Sequence, residues 1–250
     1  MGPVLTGPEP TREPGGQRAG ASRITLTDAA GMCSGSTMTQ MDRTRLFDGW
    51  ADHYDPSAAA EDDFPFAGYE RILDEVVGLA DVRPGMRILD LGVGTGNLAA
   101  RFLRKSCLVW GMDFSAKMVA QARASVPQAT LVRANLLDEW PISFQQRFDR
   151  VVSAYVLHES ALDTRVKLLK RIATDRLSPG GRILIADIAF PTTSARAEAS
   201  QRWAASWDED ECYWAADEAT AACNEAGLLA TYRQLSACGG VFVFTLDQSG

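Results

Sequence analysis

The sequence predicts an α/β fold built on a doubly wound, mostly parallel sheet. Short apolar runs typical of buried strands alternate along the chain with stretches whose apolar residues repeat at helical spacing. Strands and helices that alternate in this way form parallel sheets covered by helices on both faces. The pattern changes at the end of the chain, where residues 228–235 and 241–246 flank Cys238-Gly239-Gly240 and indicate an antiparallel hairpin.

The individual elements follow from periodicity and from turn residues. Residues 69–82 place Ile72 and Val76 on one helical face, and Pro84-Gly85 ends that helix. Further strands are predicted at residues 87–91, 108–112, 130–133, 150–154 and 182–188. Further helices are predicted at residues 98–105, 116–125 and 161–176.

The first part of the chain differs in composition from the rest. Residues 1–40 are rich in proline and glycine and show neither helical nor strand periodicity, so we expect a disordered tail there. Residues 41–250 contain no internal repeat and no second shift in composition. They are predicted to form a single domain.

Composition and charge exclude several classes of protein. Hydrophobic residues make up 46% of the chain and charged residues 23%, which are ordinary values for a globular protein. No apolar run approaches the roughly 20 residues that a membrane span needs. The net charge of −7 supplies no basic field to neutralise phosphates, so nucleic acid is not an expected partner.

Cysteine and histidine usage bears on location and on metals. The five cysteines are widely spaced without a C-x-x-C pair, and the chain has only two histidines. We expect reduced cysteines in a cytoplasmic protein and no metal site.

A glycine cluster marks the candidate ligand site. Residues 92–97, Gly-Val-Gly-Thr-Gly-Asn, follow a predicted strand and open a helix. Glycine permits a tight turn there and lets a ligand approach bare backbone. Asp113 ends the next strand, where its carboxylate can accept hydrogen bonds from both hydroxyls of a ribose. The pair predicts a cofactor that contains a nucleoside.

Two cofactor classes fit this arrangement. Residues 94–99 satisfy the dinucleotide pattern G-x-G-x-x-[G/A], so an NAD(P)- or flavin-dependent oxidoreductase is one alternative. The fingerprint starts near residue 90, however, and leaves no separate substrate domain after it. None of the five tyrosines has a lysine four residues later, as a short-chain dehydrogenase would need.

Four segments carry a more specific signal: ILDLGVGTGNL at residues 88–98, GMDFSAKM at 111–118, FDRVVSAYVLH at 148–158 and LSPGGRILIAD at 177–187. In this order they resemble the motifs of the class I S-adenosylmethionine-dependent methyltransferase family, and the resemblance extends over about residues 46–246. It implies a Rossmann-like, seven-stranded sheet with an antiparallel last strand. It also implies S-adenosylmethionine as cofactor and a small-molecule acceptor.

The resemblance implies a set of cofactor-binding residues. They are Tyr54, Asp90, Gly92, Gly94, Gly96, Asn97, Asp113, Phe114, Met118, Asn135, Leu136 and Ser153. The three glycines would line the methionine moiety, with Asp90 organising their loop. Asp113 would hold the ribose, Phe114 and Met118 would enclose the adenine, and Ser153 would lie beside the methionyl amine. Asn135 departs from the family, which usually has an aspartate there, although an amide oxygen can still accept a hydrogen bond from adenine.

Two residues are candidates for a catalytic role. Residues 46–55 resemble the opening helix of small bacterial members, which would place Tyr54 near the methionine end of the cofactor. The same spacing fits the packed face of an amphipathic helix, and the two interpretations are compatible. His158 could take a proton from an acceptor hydroxyl or amine, or it could be a hydrogen-bonded structural residue.

A tryptophan-rich region precedes the predicted hairpin. Trp203, Trp207 and Trp214 would share one face of a helix, which is more typical of a core than of a ligand cage. The resemblance implies that this region roofs the acceptor pocket, and residues 208–211 form an acidic run that we expect to be solvated. The sequence leaves open which atom is methylated and whether the chain forms oligomers. It also leaves open whether the protein is a catalytically silent relative that binds the cofactor without transferring a methyl group.

Overall fold

A computed structural model of the chain describes residues 64–247, in which strands and helices alternate. The strands are β1 (Arg87–Leu91), β2 (Leu108–Asp113), β3 (Thr130–Arg133), β4 (Phe148–Ala154), β5 (Leu177–Phe190), β6 (Trp214–Ala215), β7 (Leu228–Gln234) and β8 (Gly239–Leu246). The α-helices are α1 (Tyr69–Ala80), α2 (Asn97–Arg104), α3 (Ala116–Ser125), α4 (Leu162–Asp175), α5 (Thr193–Arg202) and α6 (Ala216–Glu225).

The main sheet has the order β3-β2-β1-β4-β5-β8-β7. Strands β1 to β5 pair with one another in parallel, and β8 is antiparallel to both β5 and β7. The predicted fold class is therefore confirmed, including the hairpin at the end of the chain. The two-residue strand β6, which pairs with β5 beside this path, was not predicted.

The strands are apolar because both faces of the sheet are covered. Ile88 of β1 belongs to a core with α1, α2 and α3, while Leu89 and Leu91 belong to a second core with α4 and α6. All three side chains are 0% exposed. Burial on both faces gives a continuous apolar run rather than an alternating one.

The strand order reverses at β1, which positions the site. Strands β2 and β3 extend to one side of β1, and β4 and β5 extend to the other. The crossover helices therefore leave a crevice above the carboxyl end of β1, where ligands bind in open α/β sheets. Asp90 and Asp113 lie in the last residues of β1 and β2, at this edge.

Two local expectations are corrected. Strand β5 was predicted to start at residue 182 but starts at Leu177. Residues 178–181 are an irregularity within the strand, opposite Asp149, and not a turn before it. The tryptophan region is not one helix, since α5 ends at Arg202 and Trp203 is its C-cap. The Asp208 side chain accepts from the backbone N–H of Asp210 at 2.9 Å, a local turn that competes with helix.

The tryptophans consequently occupy two separate places. Trp203 and Trp207 stack on Phe64, with ring centroids 5.1 and 5.6 Å away. Trp214 lies in β6 instead and packs against Phe242 at 4.8 Å.

The cysteines differ in their bonding. Cys107, Cys223 and Cys238 are buried free thiols. Cys212 is disulfide-bonded, so the expectation that every cysteine is reduced is wrong at that position. Between residues 64 and 247, no helix combines the length and apolar character needed to cross a bilayer.

Replacing Leu89 with alanine is expected to lower the free energy of unfolding by about 2–5 kcal/mol, because it leaves a cavity between the sheet and α4. Leu108→Ala is the matched control. Leu108 lies on β2 but is 54% exposed, so its loss is expected to cost about 0.5 kcal/mol or less. Urea denaturation of both variants measures the difference, and equal losses would contradict the two-core arrangement.

Candidate active site

A cleft opens above the carboxyl ends of β1, β2 and β4. Its enclosed volume is about 90 Å³, and its mouth is open to solvent. Its lining includes eight of the residues predicted to bind cofactor: Asp90, Gly92, Gly94, Asn97, Asp113, Phe114, Met118 and Leu136. Residues from several distant parts of the sequence therefore meet at the predicted place.

The glycines of the loop have different structural tasks. Gly94 has a φ of 53°, and a Cβ built there would meet no atom within 4 Å, so its backbone faces open space in the cleft. Gly92 has a φ of 69°, and its Cβ would lie 2.4 Å from the side chain of Val156. Gly94 leaves room for a ligand, whereas Gly92 leaves room for the segment that follows β4.

Asp113 joins the second strand to the glycine loop. Its Oδ2 accepts a hydrogen bond from the Gly94 N–H at 3.0 Å, and its Oδ1 accepts from the Ser115 N–H at 2.9 Å. Each carboxylate oxygen can accept more than one hydrogen bond, so the group retains capacity for ligand hydroxyls. Its carboxylate thus borders the open backbone at Gly94.

Asp90 lies at the floor of the cleft and is 1% exposed. Its Oδ2 is buried without a hydrogen-bond partner among residues 64–247. Burial, together with the negative charge of Asp113, raises the pKa of Asp90 to about 7. A buried acceptor of this kind favours a ligand that brings an N–H donor or a positive charge.

Three other predicted residues lie outside the lining. The Ser153 hydroxyl is buried and donates to the Leu91 carbonyl at 2.8 Å. The Asn135 side-chain oxygen accepts from the Leu137 N–H at 3.0 Å. Gly96 precedes the first turn of α2 with a φ of 95°. Tyr54, the remaining predicted residue, lies outside the described residues.

Tyrosines that the sequence did not single out form part of the cleft wall. The rings of Tyr69 and Tyr155 are 5.2 Å apart, and both line the cleft. Burial raises the pKa of Tyr69 to about 12, and its hydroxyl accepts from Asn97 Nδ2 at 3.4 Å. Tyr69 opens the first predicted helix and Tyr155 lies within a motif, but neither position indicates which way the ring points.

His158 lies next to the cleft, in a short 3₁₀ turn after β4, and its side chain is 8% exposed. Its Nδ1 is 2.5 Å from Oδ1 of Asp187, which is fully buried. Asp187 also accepts hydrogen bonds from the backbone N–H of His158 at 3.1 Å and from Trp214 Nε1 at 2.9 Å. This carboxylate fixes both the ring and the turn that carries it.

Comparison with known proteins identifies the family. A methyltransferase domain model matches residues 88–181. An uncharacterized methyltransferase of Geobacillus sp. (strain WCH70) is 31% identical over 212 residues, which is 81% of this chain and 95% of that protein. One of Anoxybacillus flavithermus is 32% identical over 164 residues, 63% of this chain and 74% of that protein. The chain belongs to the methyltransferase family.

Solved structures share the fold of this methyltransferase. The DhpI-SAM-HEP complex aligns with a TM-score of 0.63 at 18% identity, over 84% of this chain and 99% of that chain. Magnesium protoporphyrin IX methyltransferase (ChlM) from Synechocystis PCC 6803 with bound SAH gives 0.61 at 18% identity, over 81% and 99%. The resemblance inferred from the four motifs is confirmed, and the oxidoreductase alternative finds no support in these comparisons.

The protonation of His158 bears on its chemistry in this methyltransferase. Burial alone would lower the pKa of His158, but Asp187, with Glu211 and Glu159, raises it to about 9. A ring that is already protonated at neutral pH does not accept another proton. The structure therefore favours the structural interpretation of His158 over that of a general base.

Glu211 is a residue that the sequence analysis placed wrongly. Asp208, Glu209 and Asp210 are exposed, as expected for a solvated run, but the Glu211 side chain is only 18% exposed. Its Oε1 lies 3.8 Å from His158 Nε2. A run of four acids gives no local signal for which member turns inward.

The Asp90→Asn variant is expected to gain stability relative to the wild type as the pH rises from about 4 to 7. The folded protein holds the Asp90 proton with a pKa of about 7, against 3.8 for the ordinary side chain, so folding becomes less favourable as pH rises between these values. The asparagine mimics the protonated acid and removes this dependence. Urea unfolding at several pH values measures it.

The control for this experiment is Asp175→Asn, because Asp175 is exposed at the end of α4. That variant should follow the pH profile of the wild type. A constant difference between Asp90→Asn and the wild type across the range would contradict the pKa assigned to Asp90.

Proposed function

We propose that this methyltransferase binds S-adenosylmethionine in the cleft and transfers its methyl group to a small-molecule acceptor. The hydrogen bond between Asp113 and Gly94 is the observation that carries the proposal. It places the carboxylate of Asp113, which can accept from two ribose hydroxyls, beside the backbone of Gly94. Because Gly94 has no side chain, that backbone is open to a ligand.

The residues of the cleft match the parts of this cofactor. Asp113 would hold the ribose, and the apolar side chains of Phe114, Met118 and Leu136 would contact the adenine. The open backbone at Gly94 would accommodate the methionine moiety, and the unpartnered oxygen of Asp90 suits the positive charges of that end. The roles of Tyr54, Gly96, Asn97, Asn135 and Ser153 stay predictions.

The remaining chemistry concerns how the chain holds the acceptor. When bound, S-adenosylmethionine supplies a methyl group that is bonded to a positively charged sulfur. The sulfur is the leaving group when an acceptor attacks the methyl carbon in line with the carbon–sulfur bond. The protein must hold the acceptor atom about 3–3.5 Å from the methyl carbon and exclude water. The aromatic wall of Tyr69 and Tyr155, with Val156, suits this task because its surface is apolar.

Several observations favour a small acceptor. The net charge of −7 is unfavourable for nucleic acid, and the cleft walls are mostly aliphatic and aromatic. The structural neighbour ChlM is named for magnesium protoporphyrin IX, and DhpI was solved as a complex with SAM and HEP. A cytoplasmic location and a single domain over residues 41–250 stay predictions of the sequence.

Calorimetric titration with S-adenosylhomocysteine is expected to show one site, and Asp113→Ala is expected to weaken binding about 100-fold. Two hydrogen bonds to a charged acceptor at about 1.5 kcal/mol each account for this factor. Asp138→Ala removes an exposed acid and serves as control. If the wild type bound NAD or FAD and not S-adenosylhomocysteine, the proposal would be wrong.

Gly94→Ala is expected to weaken cofactor binding about tenfold or more, because its methyl group would enter the cleft. Gly85→Ala is a matched control, since Gly85 also has positive φ and no atom near its Cβ position but lies outside the cleft. Both variants should lose about 1–2 kcal/mol of stability from the left-handed backbone. Equal cofactor affinity in the two variants would contradict the placement of the ligand at Gly94.

Transfer of a tritiated methyl group into a metabolite extract, followed by mass spectrometry, identifies the acceptor. A labelled small molecule is the expected result. Cofactor binding without transfer to any acceptor would indicate the catalytically silent relative instead.

A further inference from the structure

Three potential metal ligands converge at the wall of the cleft. His158 Nε2 lies 3.9 Å from Glu159 Oε1 and 3.8 Å from Glu211 Oε1, distances beyond a hydrogen bond. One ligand atom from each of the three residues can be chosen so that all lie within 4.8 Å of one another. Ligand atoms around a tetrahedral zinc ion lie about 3.4 Å apart, so small rotations of the two glutamates would close the set.

The ring of His158 is prepared for coordination. Asp187 occupies Nδ1 at 2.5 Å, which leaves Nε2 directed toward the two glutamates. In metal sites the ligating histidine commonly donates its other N–H to a carboxylate, which fixes its orientation. The Asp187 carboxylate is itself held by Trp214 Nε1 and by two backbone N–H groups, so it cannot move away easily.

Tyr213 lies beside the cluster. Burial and the neighbouring Glu211 carboxylate raise the pKa of Tyr213, and its ring lies 6.1 Å from that of His158. The outer hydrogen bond that Asp187 makes to the histidine is typical of built metal sites. An incidental cluster of surface acids would not require it.

Three carboxylates lie within 4 Å of the ring nitrogens of His158. They belong to Asp187, Glu159 and Glu211, in a region where the side chains of His158 and Asp187 are 8% and 0% exposed. Arg165 is a nearby cation, with its guanidinium 3.9 Å over the ring of Trp214. Binding of a divalent ion would displace the proton of His158, so that the imidazole becomes a neutral ligand beside the carboxylates.

We propose that His158 Nε2, Glu159 and Glu211 bind a divalent transition-metal ion of the zinc type at the acceptor end of the cleft. The imidazole nitrogen favours zinc over magnesium or calcium, which prefer oxygen ligands. The proposal departs from the sequence analysis, which predicted no metal site because the chain has only two histidines and no C-x-x-C pair.

The position of the ion indicates a substrate class, an inference that rests on the proposed function. Glu159 lines the cleft, so the ion would border the acceptor, and three protein ligands leave a coordination position open. An acceptor with a hydroxyl group could bind there and release its proton to solvent. Its oxygen would then form the bond to the methyl carbon, while the carbon–sulfur bond breaks and leaves its electron pair on sulfur.

The test is titration of the tag-free, EDTA-stripped full chain with zinc chloride against a chromophoric chelator. The wild type is expected to bind one equivalent, and Glu211→Gln and Glu159→Gln are each expected to bind about 10–100-fold more weakly. Glu209→Gln is the matched control because it removes an exposed acid from the same run. Both ligand glutamates are partly exposed, and circular dichroism verifies that the variants are folded.

Asp187→Asn provides a second measurement, since it should weaken zinc binding by a similar factor while leaving both glutamates in place. Absence of a stoichiometric site in the wild type, or equal affinity in the wild type and Glu211→Gln, would overturn the proposal. Titration with S-adenosylhomocysteine in the presence of EDTA separates the two ideas. Cofactor binding without zinc binding would reject the metal site and leave the proposed function intact.

Discussion

Buried carboxylates at the carboxyl ends of parallel strands are the constraint on which this site depends. Asp90, Asp113 and Asp187 end or nearly end three strands that point to the same edge of the sheet. A buried charge is costly unless donors surround it, so each acid dictates the backbone near it. Asp113 accepts from the backbone N–H groups of Gly94 and Ser115, and Asp187 holds the side chains of His158 and Trp214. Asp90 keeps one oxygen without a partner, where a ligand would supply the missing donor.

The segment after β4 links the two ends of the cleft. Tyr155 adopts a left-handed backbone with a φ of 58°, which turns the chain so that Val156 packs against Gly92. The turn then brings His158 onto Asp187 and Glu159 to the cleft wall. The glycine loop and the acceptor end are thus braced by one short segment. A change at Val156 would disturb both regions, because both are packed to fixed positions around it.

The sequence predicted a large part of the fold, and physical reasons explain why. Strand β1 was located because it is apolar on both faces, and α3 was located from its helical periodicity. The structure adds the N-terminal cap of α3, where the Ser115 hydroxyl accepts from the Met118 N–H at 3.2 Å. Gly94 was located because it belongs to a contiguous glycine motif, and Asp113 because it ends the strand that follows. Both features can be recognised from neighbouring residues in the sequence. The early start of β5 escaped notice, because an irregularity in extended backbone resembles a turn in its composition.

The sequence by itself determined the order of strands and helices, the glycine loop and the acid beside it, since each depends on neighbours along the chain. Only the tertiary structure decided which side chains face the cleft. The Ser153 hydroxyl donates to the Leu91 carbonyl, and the Asn135 side-chain oxygen accepts from the Leu137 N–H in a local turn. Glu211 reached His158 from a distant part of the chain. Such pairings depend on how loops from different strands fold over one edge, which local periodicity does not encode.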